Sequence, residues 1–170
     1  VIVAHQLDEM LPALHEIESL VDQNNWYAAG FISYEAAPAF DSILRAHSVD
    51  GFPLLWFGLY SAPARIESIP ADNDAYTLGA WTPSVDRAEY DAAIAAVKDH
   101  IAHGKTYQVN YTFRLRTSFA GSPLALFAEM TRAQPVSYAA FIQTESHTII
   151  SVSPELFFNV FHNDMIMCLL

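Results

Sequence analysis

Thr106–Phe119 reads TYQVNYTFRLRTSF. Over most of that stretch apolar and polar residues alternate. Tyr107, Val109, Tyr111, Phe113 and Leu115 fall on one side, and Gln108, Asn110, Thr112, Arg114 and Arg116 on the other. A period of two is what a strand shows when its faces meet different surroundings, so the pattern predicts one long strand with an apolar and a polar face. Just upstream, Tyr90, Ile94, Val97 and Ile101 recur at helical spacing within Ser84–His103, and Ser84 is placed to cap that helix. Gly104 follows where helices commonly stop in a left-handed turn.

Outward from this helix-glycine-strand unit, the chain keeps the same vocabulary. Ser122 and Pro123 open a helix that runs through Thr131, because proline suits the first helical position. Tyr138–Gln143, Thr148–Val152 and Leu156–Phe161 then read as strands separated by short polar joins. Towards the N-terminus, Leu7, Met10, Leu11, Leu14, Ile17 and Val21 form a helical stripe. WYAAGFISY (Trp26–Tyr34) and FPLLWFGLY (Phe52–Tyr60) read as buried strands. Glu35–Leu44 is expected to be a short helix, limited by Pro38. Ser61–Ala75 is a connection, and Tyr76–Trp81 is a short strand before Pro83. Helices and strands in blocks with hairpin spacing predict an α+β fold with a mainly antiparallel sheet. The change of pattern near Pro83–Asp86 divides residues 1–85 from residues 86–170.

Composition excludes several partners. Apolar residues make up 52% of the 170 positions and charged residues 16%, so the chain can build a core. With 8 Lys and Arg against 19 Asp and Glu, the net charge is −11. No basic face is available for nucleic acid or for an anionic membrane surface. No apolar run reaches the length of a membrane span, and Val1–Leu11 lacks the basic start and apolar stretch of a signal peptide. The one cysteine, Cys168, permits no intrachain disulfide and reads as a small apolar residue. A reducing, cytoplasmic compartment is expected.

Taken by themselves, the residues make no catalytic constellation. His100 and His103 stand three apart on the predicted helix but lack further ligands for a metal. Glu145, Ser146 and His147 are neighbours in a polar turn, which does not supply the geometry of a triad. A glycine-rich phosphate loop is absent. The polar strand face is the strongest feature. It is either solvated or the wall of a polar cavity, where the amides of Gln108 and Asn110 could both donate and accept without adding charge.

Four stretches resemble one family. IAHGKTYQVNYTFRL (Ile101–Leu115) resembles the I-x-x-G-[DK]-x-Y-Q-V-N-[LY] segment of the chorismate-utilising enzymes. AAFIQTESHTIISVSPELFF (Ala139–Phe158) resembles their later strand pair, which ends in S-x-S-P-E-x-F. GFISYEAAPAFD (Gly30–Asp41) and FPLLWFGLY resemble the N-terminal region of aminodeoxychorismate synthase component I, in the branch often fused to an aminodeoxychorismate lyase. Together they span nearly all of residues 26–161, in the family's order.

The resemblance implies a share in an α/β sandwich that binds chorismate and Mg2+. It implies amination of chorismate at C4, with ammonia released from glutamine by a separate amidotransferase subunit, on the route to 4-aminobenzoate and folate. Anthranilate synthase component I, which aminates at C2 and eliminates pyruvate, is the alternative within the family. Asn110 resembles the pattern of the C4 branch and is the expected substrate-binding residue. Gln108 is the expected catalytic residue. In water-using relatives its position resembles that of a lysine acting as general base, and a glutamine cannot take a proton from water, which fits a nucleophile that is already an amine.

The family's Pro-Ile/Met-Lys-Gly-Thr motif would come after Leu169 and Leu170. Its lysine, the carboxylates for Mg2+ and the substrate-gripping arginine are not among these residues. These 170 residues are therefore expected to be an incomplete part of the sandwich, to retain no Mg2+ and to be inactive alone. Unpaired sheet edges are expected to drive homo-oligomers. A tryptophan-binding regulatory domain is the alternative from a different functional class.

Overall fold

The computed structural model describes residues 1–47, 51–70, 74–161 and 164–167. Packing divides the chain into two compact units, Val1–Ile69 and Pro70–Leu170. All strand pairs described are antiparallel, and with the helices they make a mixed α+β structure.

In the first unit a 3-10 turn, Leu7–Glu9, leads into helix α1 (Met10–Asn24). The Glu9 carboxylate accepts the backbone N–H groups of His5 at 2.8 Å and Gln6 at 3.0 Å. Those bonds hold its acid below the ordinary carboxylate range. Met10, Ala13 and Ile17 are buried, with Leu14 and Val21 packed against the same core. Leu7 and Leu11, expected on the stripe, are exposed. Leu7 precedes the α-helix, in a turn of different pitch. Leu11 sits one residue, or about 100°, round from Met10. Asn25 ends the helix in the left-handed region with φ 51°, which asparagine tolerates well.

Strands β1 (Ile2–Ala4), β2 (Tyr27–Ile32) and β3 (Leu55–Tyr60) form a sheet in the order β1-β3-β2. Leu55 lies opposite both Ala4 and Ile32 in the register. Leu54 and Leu55 join Ala4, Met10, Ala13, Ile17 and Ala36 in the core. The expectation of a buried strand holds for β3, whose Leu55 and Gly58 are buried. It fails for Trp26–Tyr34. No residue of β2 is buried; the strand is bonded to β3 alone, at one edge of the sheet. Aromatic content marks a strand without telling centre from edge. The helix expected over Glu35–Leu44 is a shorter 3-10 helix, Tyr34–Ala39, with Pro38 inside it.

In the second unit, β4 (Tyr76–Leu78) and β5 (Thr82–Pro83) precede helix α2 (Arg87–Ala102). Next come β6 (Leu115–Arg116), β7 (Phe119–Gly121), helix α3 (Pro123–Ala133), β8 (Tyr138–Gln143) and β9 (Thr148–Ser153). The series ends with β10 (Phe158–Phe161) and β11 (Asp164–Met167). The pairs are β4-β7, β5-β6, β8-β9 and β10-β11. The Ser122 hydroxyl accepts the Ala125 N–H at 3.1 Å and caps α3 as expected, with Pro123 opening the helix. Phe127 of α3 is buried, its ring 5.6 Å from that of Phe141 on β8. The three strands expected after α3 are present, the last beginning at Phe158 rather than Leu156, and β11 is an addition. Cys168 lies outside the described residues.

The cap of α2 is Asp86, not Ser84. Asp86 Oδ1 accepts the Glu89 N–H at 2.8 Å, and Glu89 Oε2 accepts the Asp86 N–H at 2.8 Å, a reciprocal capping box. The long strand over Thr106–Phe119 is absent. Residues 106–114 are irregular, and within the stretch only β6 and Phe119, the first residue of β7, are paired in a ladder. A strand needs a partner, and the partner of this one runs out. Leu115 lies opposite Pro83, and the pairing reaches only one residue further, where the Ser84 N–H donates to the Arg114 carbonyl. Two residues after Ser84, at Asp86, the chain caps α2. The helix end is as expected: Gly104 has φ +69°, and the Lys105 N–H donates to the His100 carbonyl at 2.9 Å.

Candidate functional site

The segment between α2 and β6 carries Gln108 and Asn110. Gln108 Nε2 donates to Asn110 Oδ1 at 3.3 Å, and the Thr106 hydroxyl donates to the Gln108 carbonyl at 2.9 Å. The two amides are thus brought together by the local fold rather than by the face of a strand. Both are exposed, and neighbouring Tyr107 is 91% exposed. A primary amide carries two N–H groups and one acceptor oxygen, so the pair keeps bonding capacity for a polar ligand after this contact.

Three attachments hold the segment. At its start, Gly104 and Lys105 are tied to the last turn of α2. At its end, Ser84 N–H donates to the Arg114 carbonyl at 2.8 Å, and Arg114 N–H donates to the Ser84 hydroxyl at 3.0 Å. Between them, the Tyr90 ring of α2 meets Tyr111 at 5.8 Å and Phe113 at 5.9 Å, both edge-on, a favoured aromatic geometry. Tyr90 was expected as part of the helix's apolar side. Tyr111 and Phe113 meet it from an irregular segment rather than from the apolar face of a regular strand.

His103 Nδ1 lies 2.9 Å from the Asp99 carbonyl and 3.2 Å from Asp99 Oδ1, within its own helix. Among the described residues no group of three or more His, Cys, Asp or Glu is placed to hold a metal ion. Ser146 Oγ lies 2.8 Å from His147 Nδ1, in a turn closed by hydrogen bonds between Thr144 and His147. That turn joins β8 to β9.

Two features went unforeseen. The Tyr76 hydroxyl donates to Glu129 Oε2 at 2.5 Å, tying β4 to α3. That bond to a carboxylate raises the phenol above its usual range. A cavity of about 430 Å³ opens beside β7 and α3, lined by Leu78, Trp81, Phe119, Leu126 and Ile150 among others. Neither feature involves sequence neighbours, so no local pattern announces it.

The described helices include none long and apolar enough to cross a membrane. Residues 69–169 match the chorismate binding enzyme family. That interval contains the whole Gln108–Asn110 segment with its attachments. Aminodeoxychorismate synthase component 1 of Salmonella typhimurium is 31% identical over 116 residues, 68% of this chain and 24% of that protein. The same enzyme of Klebsiella aerogenes is 26% identical over 113 residues, 66% of this chain and 23% of that protein. Anthranilate synthase component 1 3 of Haloarcula marismortui is 22% identical, over 88% of this chain and 41% of that protein. The chain thus spans about a quarter of the length of the aminodeoxychorismate synthase relatives. With more than half of its residues inside the matched interval, the chain belongs to the chorismate binding enzyme family.

Proposed function

We propose that this chain is part of an aminodeoxychorismate synthase, which aminates chorismate at C4 with ammonia supplied from glutamine by an amidotransferase subunit, for 4-aminobenzoate and folate. The family match across residues 69–169 carries this reading. The aminodeoxychorismate synthase relatives support the branch. In this reading the structure forms part of an α/β sandwich in a cytoplasmic enzyme. Gln108 faces the reacting centre, and Asn110 beside it binds chorismate. An amide at Gln108 can orient ammonia or a substrate carboxyl by hydrogen bonds, but it removes no proton from water. The complete enzyme uses Mg2+. The described residues assemble no ligand set for that ion.

A second reading, anthranilate synthase component I, is favoured by the Haloarcula relative, which aligns with 88% of the chain. The full-length protein, incubated with chorismate, Mg2+ and ammonium, separates the two. Aminodeoxychorismate as product supports C4 amination, and anthranilate overturns it in favour of the second reading. Residues 1–170 alone should form neither product, since no catalytic constellation occurs among the described residues. In the full-length enzyme, Gln108→Lys should shift product towards addition of water. An unchanged choice of nucleophile would remove Gln108 from this role.

The free edge of β2 and the two-stranded β8-β9 ladder further support homo-oligomers that pair sheet edges. Light scattering that finds only monomer would count against them.

A further inference from the structure

We propose that Tyr90 is a positioning residue that sets the Gln108–Asn110 amide pair from helix α2; this rests on the reading of Gln108 given above. The connection runs through contiguous contacts. Asp86 and Glu89 cap the first turn of α2 reciprocally, and the Tyr90 N–H donates to the Asp86 carbonyl at 3.0 Å. The ring of Tyr90 is therefore presented from the capped first turn of the helix. It engages Tyr111 at 5.8 Å and Phe113 at 5.9 Å, with interplanar angles of 61° and 73°. Tyr111 directly follows Asn110, whose Oδ1 holds the Gln108 amide. Residues 106–114 have no ladder of their own. Their shape then depends on attachments at a few points, of which Tyr90 is the one nearest the amides. An error of about 1 Å in such a group is enough to cost a large factor in rate.

The contact is made by the ring, so Tyr90→Phe should keep it and Tyr90→Ala should lose it. In the full-length enzyme, Tyr90→Ala should lower kcat/KM for ammonium about tenfold, an effect of the size two edge-on ring contacts can supply. Tyr90→Phe should stay within about twofold of the parent. If Tyr90 acts through Gln108, the double variant Tyr90→Ala/Gln108→Ala should be no slower than Gln108→Ala alone. Multiplying losses would overturn the proposal, as would parental kinetics in Tyr90→Ala. Native-state trypsin cleavage after Lys105 and Arg114 gives a readout independent of chemistry. It should quicken about tenfold in Tyr90→Ala and stay parental in Tyr90→Phe; unchanged cleavage in Tyr90→Ala would overturn the attachment itself. Should the alanine variant fail to fold, Tyr90→Leu, which keeps apolar bulk but not the ring edge, replaces it with the same expected directions. Full amination by Gln108→Ala would instead defeat the reading of Gln108, and this role for Tyr90 with it.

Discussion

Ser84 and Arg114 hold each other through two hydrogen bonds, one from each backbone N–H: to the Arg114 carbonyl at 2.8 Å and to the Ser84 hydroxyl at 3.0 Å. Thirty residues apart in sequence, they close the segment that carries Gln108 and Asn110 into a loop whose other side is helix α2. The placement of the two amides is thereby linked to how firmly α2 begins.

The first prediction concerns that beginning. Asp86→Ala removes the side chain that caps Glu89 and opens the reciprocal box. N-cap losses of this type cost about 1 kcal/mol, within a range of about 0.5–2 kcal/mol. The urea midpoint of the protein should fall accordingly, and Asp86→Asn, which keeps an acceptor oxygen, should recover most of the difference. Equal midpoints for the alanine variant and the parent would show that the box contributes nothing.

A second prediction follows from the bond between Tyr76 and Glu129. The phenol donates to a carboxylate, so the folded state favours protonated Tyr76 and raises its pKa above 10.0. For a group raised on folding, the stabilisation is fully present below the unfolded pKa and is lost as pH rises through the folded one. Stability should therefore decline through the alkaline range above pH 10, and Tyr76→Phe should flatten that decline. An identical alkaline profile in Tyr76→Phe would rule out the linkage. Glu9 has the opposite sign. Its lowered pKa gives a contribution present above 4.5 and lost in acid.

The third prediction tests the core of the first unit. Leu55 is fully buried where β3 meets Ala4, Met10 and Ile17. Leu55→Ala should destabilise by about 2–5 kcal/mol, the usual span for a buried leucine that leaves a cavity. Leu11→Ala, on the exposed side of α1, should change stability by less than about 0.5 kcal/mol. Comparable urea midpoints for the two variants would contradict the placement of the core.

Much of this fold was legible because local signals suffice for local elements. Ser122 and Pro123 announce α3, Gly104 ends α2, and the polar Thr144–His147 turn separates β8 from β9. What could not be read depends on a partner. The alternation of Thr106–Phe119 is that of a strand, yet a strand exists only where another chain segment offers a ladder, and the partner leaves this one after Ser84 to begin α2. Trp26–Tyr34 has the composition of a sheet centre and lies at an edge for the same reason. The candidate site was legible as residues, since Gln108 and Asn110 stand two apart in a recognisable motif. Its geometry was not, because the amides meet across an irregular backbone in a segment attached to Tyr90 and Ser84, eighteen and twenty-four positions earlier than Gln108.

The order β1-β3-β2 has a consequence for synthesis. The strand that joins the other two is the last of the three to leave the ribosome. A nascent chain that has emerged only as far as Ile32 contains β1, α1 and β2 with no central strand to bond either of them. The N-terminal sheet must then form late and in one step, when Leu55–Tyr60 arrives between two waiting edges.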